Sequence, residues 1–207
     1  MKCNSIFYTA QAADASELAM LVNSAYRGET SRLGWSTEAD LLGGQRTDAD
    51  DLLRFIERSQ RQSLCAFLLM RRPESTASLV SKIDACVQLE RRGTQTYLGM
   101  LTVRPNLQAQ GFGRALLRAA EDYVCREWQS TQITMTVIVQ RVELIAWYAR
   151  RGYVATAERV PFPYEDLHFG IPKRQDLEFV VLSKDLSPLH RSQLNSPLSL
   201  PVAAREG

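Results

Sequence analysis

Val103-Arg104-Pro105-Asn106-Leu107-Gln108-Ala109-Gln110-Gly111-Phe112-Gly113-Arg114 is the stretch on which the fold turns. Its apolar start reads as a strand running into Pro105, followed by a short loop and a helix that opens at Gly111 and Gly113. Glycines at such a junction let a backbone approach a ligand with no Cβ in the way. The N–H groups of a helix's first turn lack partners and carry partial positive charge, which makes a ready anion site. The helix dipole favours acidic residues in that turn. This helix instead begins with Arg114 and meets no acid until Glu121, an order that makes sense if an anion sits there. The plainer alternative is an ordinary strand-to-helix turn whose arginine points to water.

The spacing excludes two well-known phosphate loops. A P-loop needs Lys and then Ser or Thr after its second glycine, and no such run occurs. A dinucleotide fingerprint needs a third Gly or Ala where this chain has Leu116. The remaining pattern, Val103-x-Pro105 followed by Gln108-x-x-Gly111-x-Gly113, resembles the acyl-CoA-binding loop of the GNAT superfamily of N-acyltransferases. The resemblance implies that backbone amides of Gln108, Ala109, Gln110, Gly111, Phe112, Gly113 and Arg114 hold the coenzyme pyrophosphate. It also implies acetyl-CoA as cosubstrate, and a strand at Leu101–Val103 that splays from its neighbour, pairs with the pantetheine arm and offers an oxyanion donor.

A chain of 207 residues with 45% apolar content can build one compact core. The expected organisation is a single N-acetyltransferase-like domain over 1–186, with a mobile tail over 187–207 rich in Ser, Pro and Leu. Net charge is +2 with dispersed basic residues, which gives no case for nucleic-acid binding. No apolar run reaches the roughly 18 residues that span a bilayer. The N-terminus lacks a signal-peptide core, and the cysteines Cys3, Cys65, Cys86 and Cys125 stand singly. A reduced, cytoplasmic protein, monomeric or homodimeric, with no membrane association and no metal is the expectation.

Alternating and apolar runs predict strands at Ile6–Thr9, Leu64–Arg71, Ser81–Glu90, Thr94–Val103, Ile133–Val139, Thr156–Val160 and Leu177–Leu182. A helix starts at a capping-box-like Asp14…Glu17 and buries Leu18, Leu21, Val22, Ala25 and Tyr26. Residues 36–44 read as a short capped turn. A second helix starts at Thr47 and buries Leu52, Phe55 and Ile56. Gly113–Trp128 and Val142–Arg151 are the last two helices, the latter closed by Gly152 at a left-handed position. The fold class is α/β: a mixed, mostly antiparallel twisted sheet of about seven strands flanked by about four helices, an order that matches GNAT proteins.

The segment Val139–Tyr153 is similar to the GNAT stretch after the fifth strand. Tyr148, Gly152 and Tyr153 fit its pattern, while Arg141 stands where an Asn that helps hold the coenzyme is usual. Arg141 either replaces that Asn by charge or points outward. The resemblance makes Tyr148 the general acid to the coenzyme sulfur; spacing alone makes it a core aromatic. Many members carry a Glu base where this chain has Tyr97. Three sources of deprotonation remain open: Glu90, a water chain from Tyr97, or an amine that arrives neutral. Glu90 shares a predicted strand face with Asp84 and Gln88, opposite Ile83, Ala85, Val87 and Leu89; such a row also suits a solvated face.

Acceptor specificity in the superfamily resides in regions corresponding to Tyr26–Asp48 and Pro161–Arg174. These supply Glu29, Trp35, Glu38 and Tyr164 as acceptor-binding candidates, with Arg32, Arg46 and His168 nearby. Carboxylates there would favour a cationic amine, arginines a carboxylate, and both together an amino-acid-like acceptor. The resulting expectation is acetyl transfer from acetyl-CoA to a primary amine of a small molecule or peptide, by direct attack. A coenzyme-A-binding sensor or interaction module is the alternative.

Overall fold

The computed structural model describes residues 6–71 and 82–187. Residues 1–5, with Cys3, and the expected tail from 188 onward, with His190, lie outside the described residues. So does Ser81, the predicted first residue of the third strand.

The elements are β1 (Ile6–Thr9), α1 (Ala15–Tyr26), α2 (Gly28–Ser31), β2 (Leu42–Gly43), α3 (Ala49–Arg61), β3 (Cys65–Arg71), β4 (Ile83–Arg92) and β5 (Gln95–Val103), followed by α4 (Phe112–Trp128), β6 (Gln132–Ile138), α5 (Val142–Ala149), β7 (Val154–Pro161), β8 (Ile171–Pro172) and β9 (Glu178–Asp185). Seven strands form one sheet in the order β1-β3-β4-β5-β6-β9-β7, and β2 pairs with β8 in a separate two-stranded piece. The sheet is antiparallel throughout except where β5 meets β6. This is the mixed, mostly antiparallel α/β fold expected from the strand pattern. The short helix α2 and the β2–β8 pair are additions that a periodicity argument cannot see, being shorter than its window.

Helices cover both faces of the sheet. Ala66, Leu68, Met70, Val87 and Leu89 pack against Leu116, Ala120 and Val124 of α4. Phe67, Leu69 and Cys86 pack instead against Leu18, Val22, Leu52 and Ile56 of α1 and α3. A strand buried on both sides reads as a continuous apolar run, as β3 does. Ile83 is a correction: it joins the α1–α3 side with Cys86, not the side of Ala85 and Val87. The register between β3 and β4 slips at Met70/Arg71, and such a slip flips every following side chain.

A second correction concerns the start of α1. Asp14 does not cap it; its carboxylate accepts from the backbone N–H of Gln11 at 2.8 Å and pairs with Arg71. Glu17 accepts from the N–H of Ile83 at 2.6 Å and also pairs with Arg71. Both acids tie α1 to the sheet. The start of α3 is as expected, with Asp48 accepting from the N–H of Asp51 at 2.8 Å, although Phe55 is only half-buried. Gly152 closes α5 at φ +84°, with the N–H of Tyr153 on the carbonyl of Tyr148 at 3.2 Å.

Candidate active site

The sheet parts at its centre. β5 and β6 pair only from Gln95↔Gln132 to Tyr97↔Thr134, although β5 continues to Val103 and β6 to Ile138. The separation begins well before Pro105, so the missing proline N–H is not its cause. A bulge helps to produce it. Between Gln88↔Gly99 and Cys86↔Thr102 the β4–β5 register shifts, leaving Met100 and Leu101 opposite Val87. Met100 has φ +44°, a conformation that non-glycine residues adopt at a cost of about 1–3 kcal/mol and that often marks functional sites. The phenol of Tyr26 donates to the Leu101 carbonyl at 3.1 Å.

A cavity of about 430 Å³ opens in the gap, lined by Leu101, Val103, Gln108, Ala109, Gln110, Gly111, Gly113, Arg114, Arg141 and Tyr148, together with Tyr26, Trp35, Ser36, Leu144, Trp147 and Arg151. Gly111 has φ +90° and Ala109 φ +61°. This backbone turns the amides of the loop outward. Among the described residues, none accepts a hydrogen bond from the backbone N–H groups of 109–113. A Cβ built on Gly111 meets no atom within 4 Å, and Ala109, Gln110, Gly111 and Gly113 all border the cavity, so the space beside the loop is open. Two cations, Arg114 and Arg151, flank them. An unpaired amide nest, two guanidinium groups and an open approach fit a pyrophosphate.

Some predicted cofactor residues take other roles. The Gln108 side chain braces two loops: its amide nitrogen donates to Ser36 Oγ at 2.9 Å and to the Val103 carbonyl at 3.1 Å, while its oxygen accepts from the Ser36 N–H at 3.3 Å. Phe112 turns its ring into the core, leaving only its backbone toward the loop. Arg141 donates to Glu38 at 2.6 Å and to the Ser36 carbonyl. It borders the cavity without pointing outward into solvent.

A smaller cavity of about 80 Å³ adjoins the first, and Tyr26, Leu101, Arg141, Leu144 and Tyr148 line both. Its further walls include Arg27, Glu38, Arg46, Tyr97, Met135, Thr136, Phe162, Phe169 and Phe179. Tyr148 is buried beside Trp147 and Tyr153, with ring centroids 5.0 and 5.6 Å away. Burial raises its phenol above the ordinary tyrosine range, with nearby Tyr26 adding to the effect. Like any tyrosine it is protonated at neutral pH, and the upward shift keeps it a proton donor rather than a base there. The Tyr97 hydroxyl lies 2.9 Å from Thr136 Oγ1.

Glu38 is 7% exposed. Burial pushes its carboxyl up, but the charges of Arg141 and Arg27 outweigh this, and the net displacement is downward. One carboxylate oxygen takes Arg27 and the other Arg141. Glu90, in contrast, lies outside both cavities, bonded to Gln88 at 2.8 Å and 3.9 Å from Arg58 and Arg92. Glu29 pairs with Arg32 at the surface. Tyr164 accepts from the N–H of Leu177 at 2.7 Å and packs on Phe162, outside the lining of either cavity. Trp35 faces the larger cavity, its ring 6.3 Å from Trp147, rather than the smaller one.

Sequence reasoning did not single out Met100, Leu144, Trp147 or Arg151 for the site, and named Tyr26 only as a buried helix residue and the first of the acceptor region that also holds Ser36. A lone glycine inside a strand, here Gly99, signals a bulge and would have located Met100. Arg151 carried no separate signal, because a basic residue at a helix end already has an explanation.

A strand pair that parts around a buried phenol, with a bare amide loop at its mouth, is the architecture of an acyltransferase. A model of the acetyltransferase (GNAT) domain matches residues 55–162, about half of the chain, and the chain belongs to that family. It is similar in fold to a spermidine N-acetyltransferase chimera from Vibrio cholerae and hSSAT, at TM-score 0.64 and 14% identity over 93% of this chain and 99% of that one. It is likewise similar to a putative acetyltransferase from Salmonella typhimurium with its cofactor acetyl-CoA, at TM-score 0.62 and 17% identity over 97% and 99%. A Thermoplasma acidophilum N-acetyltransferase in complex with coenzyme A gives TM-score 0.59 and 15% identity over 88% and 99%. No curated protein matches the chain. Among the described residues, no helix is long and apolar enough to cross a membrane.

Proposed function

We propose that the chain transfers an acetyl group from acetyl-CoA to a primary amine of a small molecule or peptide, by direct attack and with Tyr148 as general acid. One observation carries the reading: the unpaired amides at Gly111 and the protonated phenol of Tyr148 border the same cavity. Bound acetyl-CoA supplies an acetyl carbon already activated as a thioester.

The residues of the chain do the rest. The amides of 109–113, with Arg114 and Arg151, hold the diphosphate end. Leu101, unpaired on β4 and fixed through its carbonyl by Tyr26, offers its backbone N–H beside the reacting carbon as the donor that stabilises developing oxyanion charge. One C–N bond forms as one C–S bond breaks; Tyr148 gives its proton to the leaving sulfur and is reprotonated from water. The proton lost by the amine passes to water along the Tyr97–Thr136 pair. Glu38, held by two arginines, is a weak base, and Glu90 is remote. The thiols of Cys65 and Cys86 suit work in a reducing compartment such as cytoplasm.

The second reading, a coenzyme-A-binding sensor, draws on the pairing of Glu38: among the described residues, it is the one carboxylate of the smaller cavity, and it is neutralised. Thermal denaturation with acetyl-CoA, then thiol release across a panel of amines, separates the two. Turnover that Tyr148→Phe suppresses supports the enzyme. A stabilised protein with no turnover on any amine supports the sensor.

A further inference from the structure

The charges of the smaller cavity do not balance. Arg27, Arg46 and Arg141 line it against the single carboxylate of Glu38. Both oxygens of Glu38 are committed, one to Arg27 and one to Arg141. Arg46 is left over: among the described residues its side chain makes no ion pair or hydrogen bond, and its guanidinium carbon lies 6.0 Å from the ring centroids of both Tyr26 and Phe169. Two aromatic faces thus hold a planar cation whose donors are unspent. Its charge acts on Glu38 only through space, while Asp48 and Asp51 border a separate hollow that Arg46 also lines, without pairing with it. Arg27 adds to the excess, since its buried Nε has no acceptor. Charges in a partly enclosed, low-dielectric setting act far more strongly than in water.

We propose that the amine acceptor carries a carboxylate of its own, bound by Arg46, and that it is a small amino acid-like molecule with an apolar side chain. This rests on the acetyl-transfer reading of the same site. The guanidinium fork matches a carboxylate with two parallel hydrogen bonds. Leu42, Met135, Phe162 and Phe179 give the cavity an apolar side, alongside the hydroxyls of Tyr97 and Thr136, and a space of about 80 Å³ takes a small molecule better than a chain segment. A polycation such as spermidine would bring further positive charge against three arginines, a built-in penalty of the kind that sets specificity. The same cations answer the question of the base. Like charges lower the pKa of an ammonium, so the acceptor nitrogen is more readily neutral here than in water.

The test uses the wild-type chain, Arg46→Gln and Arg46→Lys. Thiol release from acetyl-CoA is measured with leucine, methionine and phenylalanine, their amides, their decarboxylated amines, phosphoethanolamine and spermidine. Calorimetry follows binding of the same compounds to the protein saturated with coenzyme A. Loss of one charge-assisted hydrogen-bond pair is worth about ten- to hundredfold. The amino acids are therefore expected to exceed their amides by that factor in kcat/KM, with Arg46→Gln collapsing the ratio and Arg46→Lys restoring part of it. Spermidine or decarboxylated amines turned over as well as the amino acids would overturn the proposal, as would a ratio indifferent to Arg46→Gln. A preference for phosphoethanolamine would assign the site to phosphate and likewise overturn it. If nothing turns over but the amino acids bind in a way that needs both their carboxylate and Arg46, the enzymatic reading falls and what survives of the inference is an amino acid-binding site. Turnover without carboxylate-dependent binding overturns the inference alone.

Discussion

The phenol of Tyr26, the last residue of α1, hydrogen-bonds to the carbonyl of Leu101 at 3.1 Å across 75 positions of sequence. The bond pins the bulged part of β5, so α1 acts on the reacting strand as well as on the core. Tyr26→Phe removes one hydrogen bond at a cost of about 1 kcal/mol. The expected result is a small fall in thermal midpoint and a several-fold loss of kcat, with KM for acetyl-CoA little changed. Steady-state kinetics beside thermal denaturation would read both.

Tyr148→Phe is expected to lower kcat by roughly 10²–10⁴-fold, the usual scale for a lost general acid, and to leave coenzyme binding intact. Its buried phenol is raised in pKa, as are those of Tyr153 and Tyr26, burial being the largest cause in each. A group raised on folding contributes stability that is complete below its unfolded value, about 10 for tyrosine, and that is lost as pH rises through the folded value. Denaturant midpoints should therefore hold up to about pH 10 and fall above it, less steeply in Tyr148→Phe.

Gly111→Ala and Gly111→Glu divide strain from charge. A Cβ meets nothing within 4 Å there, but φ of +90° disfavours any side chain by about 1–2 kcal/mol. Both variants should lose similar stability. Only Gly111→Glu, which sets a carboxylate before the amides, should weaken acetyl-CoA binding by more than about tenfold, as titration calorimetry would show. Equal affinity in the two variants would count against the amide cradle.

Glu38→Gln leaves Arg27 and Arg141 as buried, unpaired cations, a loss of about 3–5 kcal/mol. The carboxyl of Glu38 is lowered by these arginines despite burial, so its contribution is present above its unfolded value of 4.5 and is lost as pH falls below it. Wild-type stability measured by denaturant titration should drop through this acid range, and Glu38→Gln should flatten the drop.

Much of this was legible in the sequence, and the reason is locality. Gly111 and Gly113 announce themselves through turn geometry and spacing along one short segment, whereas Tyr148 stands out only by resemblance to a family pattern. The seven strands of the main sheet announce themselves through alternation or, as in β3, a continuous apolar run. What escaped depends on contacts between distant segments. The Gln108 side chain's grip on Ser36 could not be read from the sequence, because nothing in its neighbourhood reveals Ser36, and neither could the placing of Trp35 beside Trp147 in the larger cavity. Glu90 was a candidate by strand position alone, yet Gln88 and two arginines claim it on the sheet. The helix-start motif at Asp14 and Glu17 failed for the same cause, since Arg71 offered both acids a stronger partner.

The short pairing of β5 with β6 has a consequence for the order of events. Because the ladder stops at Tyr97, one continuous slot runs between the strands, and its two chambers share the wall formed by Tyr148, Leu101 and Arg141. Donor and acceptor can be resident together: among the described residues no cysteine lines either chamber, and the one serine, Ser36, borders only the larger, its hydroxyl accepting from Gln108. Initial velocities plotted at several fixed acceptor concentrations should form lines that cross, the mark of a ternary complex. Parallel lines would mean that the group rests on the protein first.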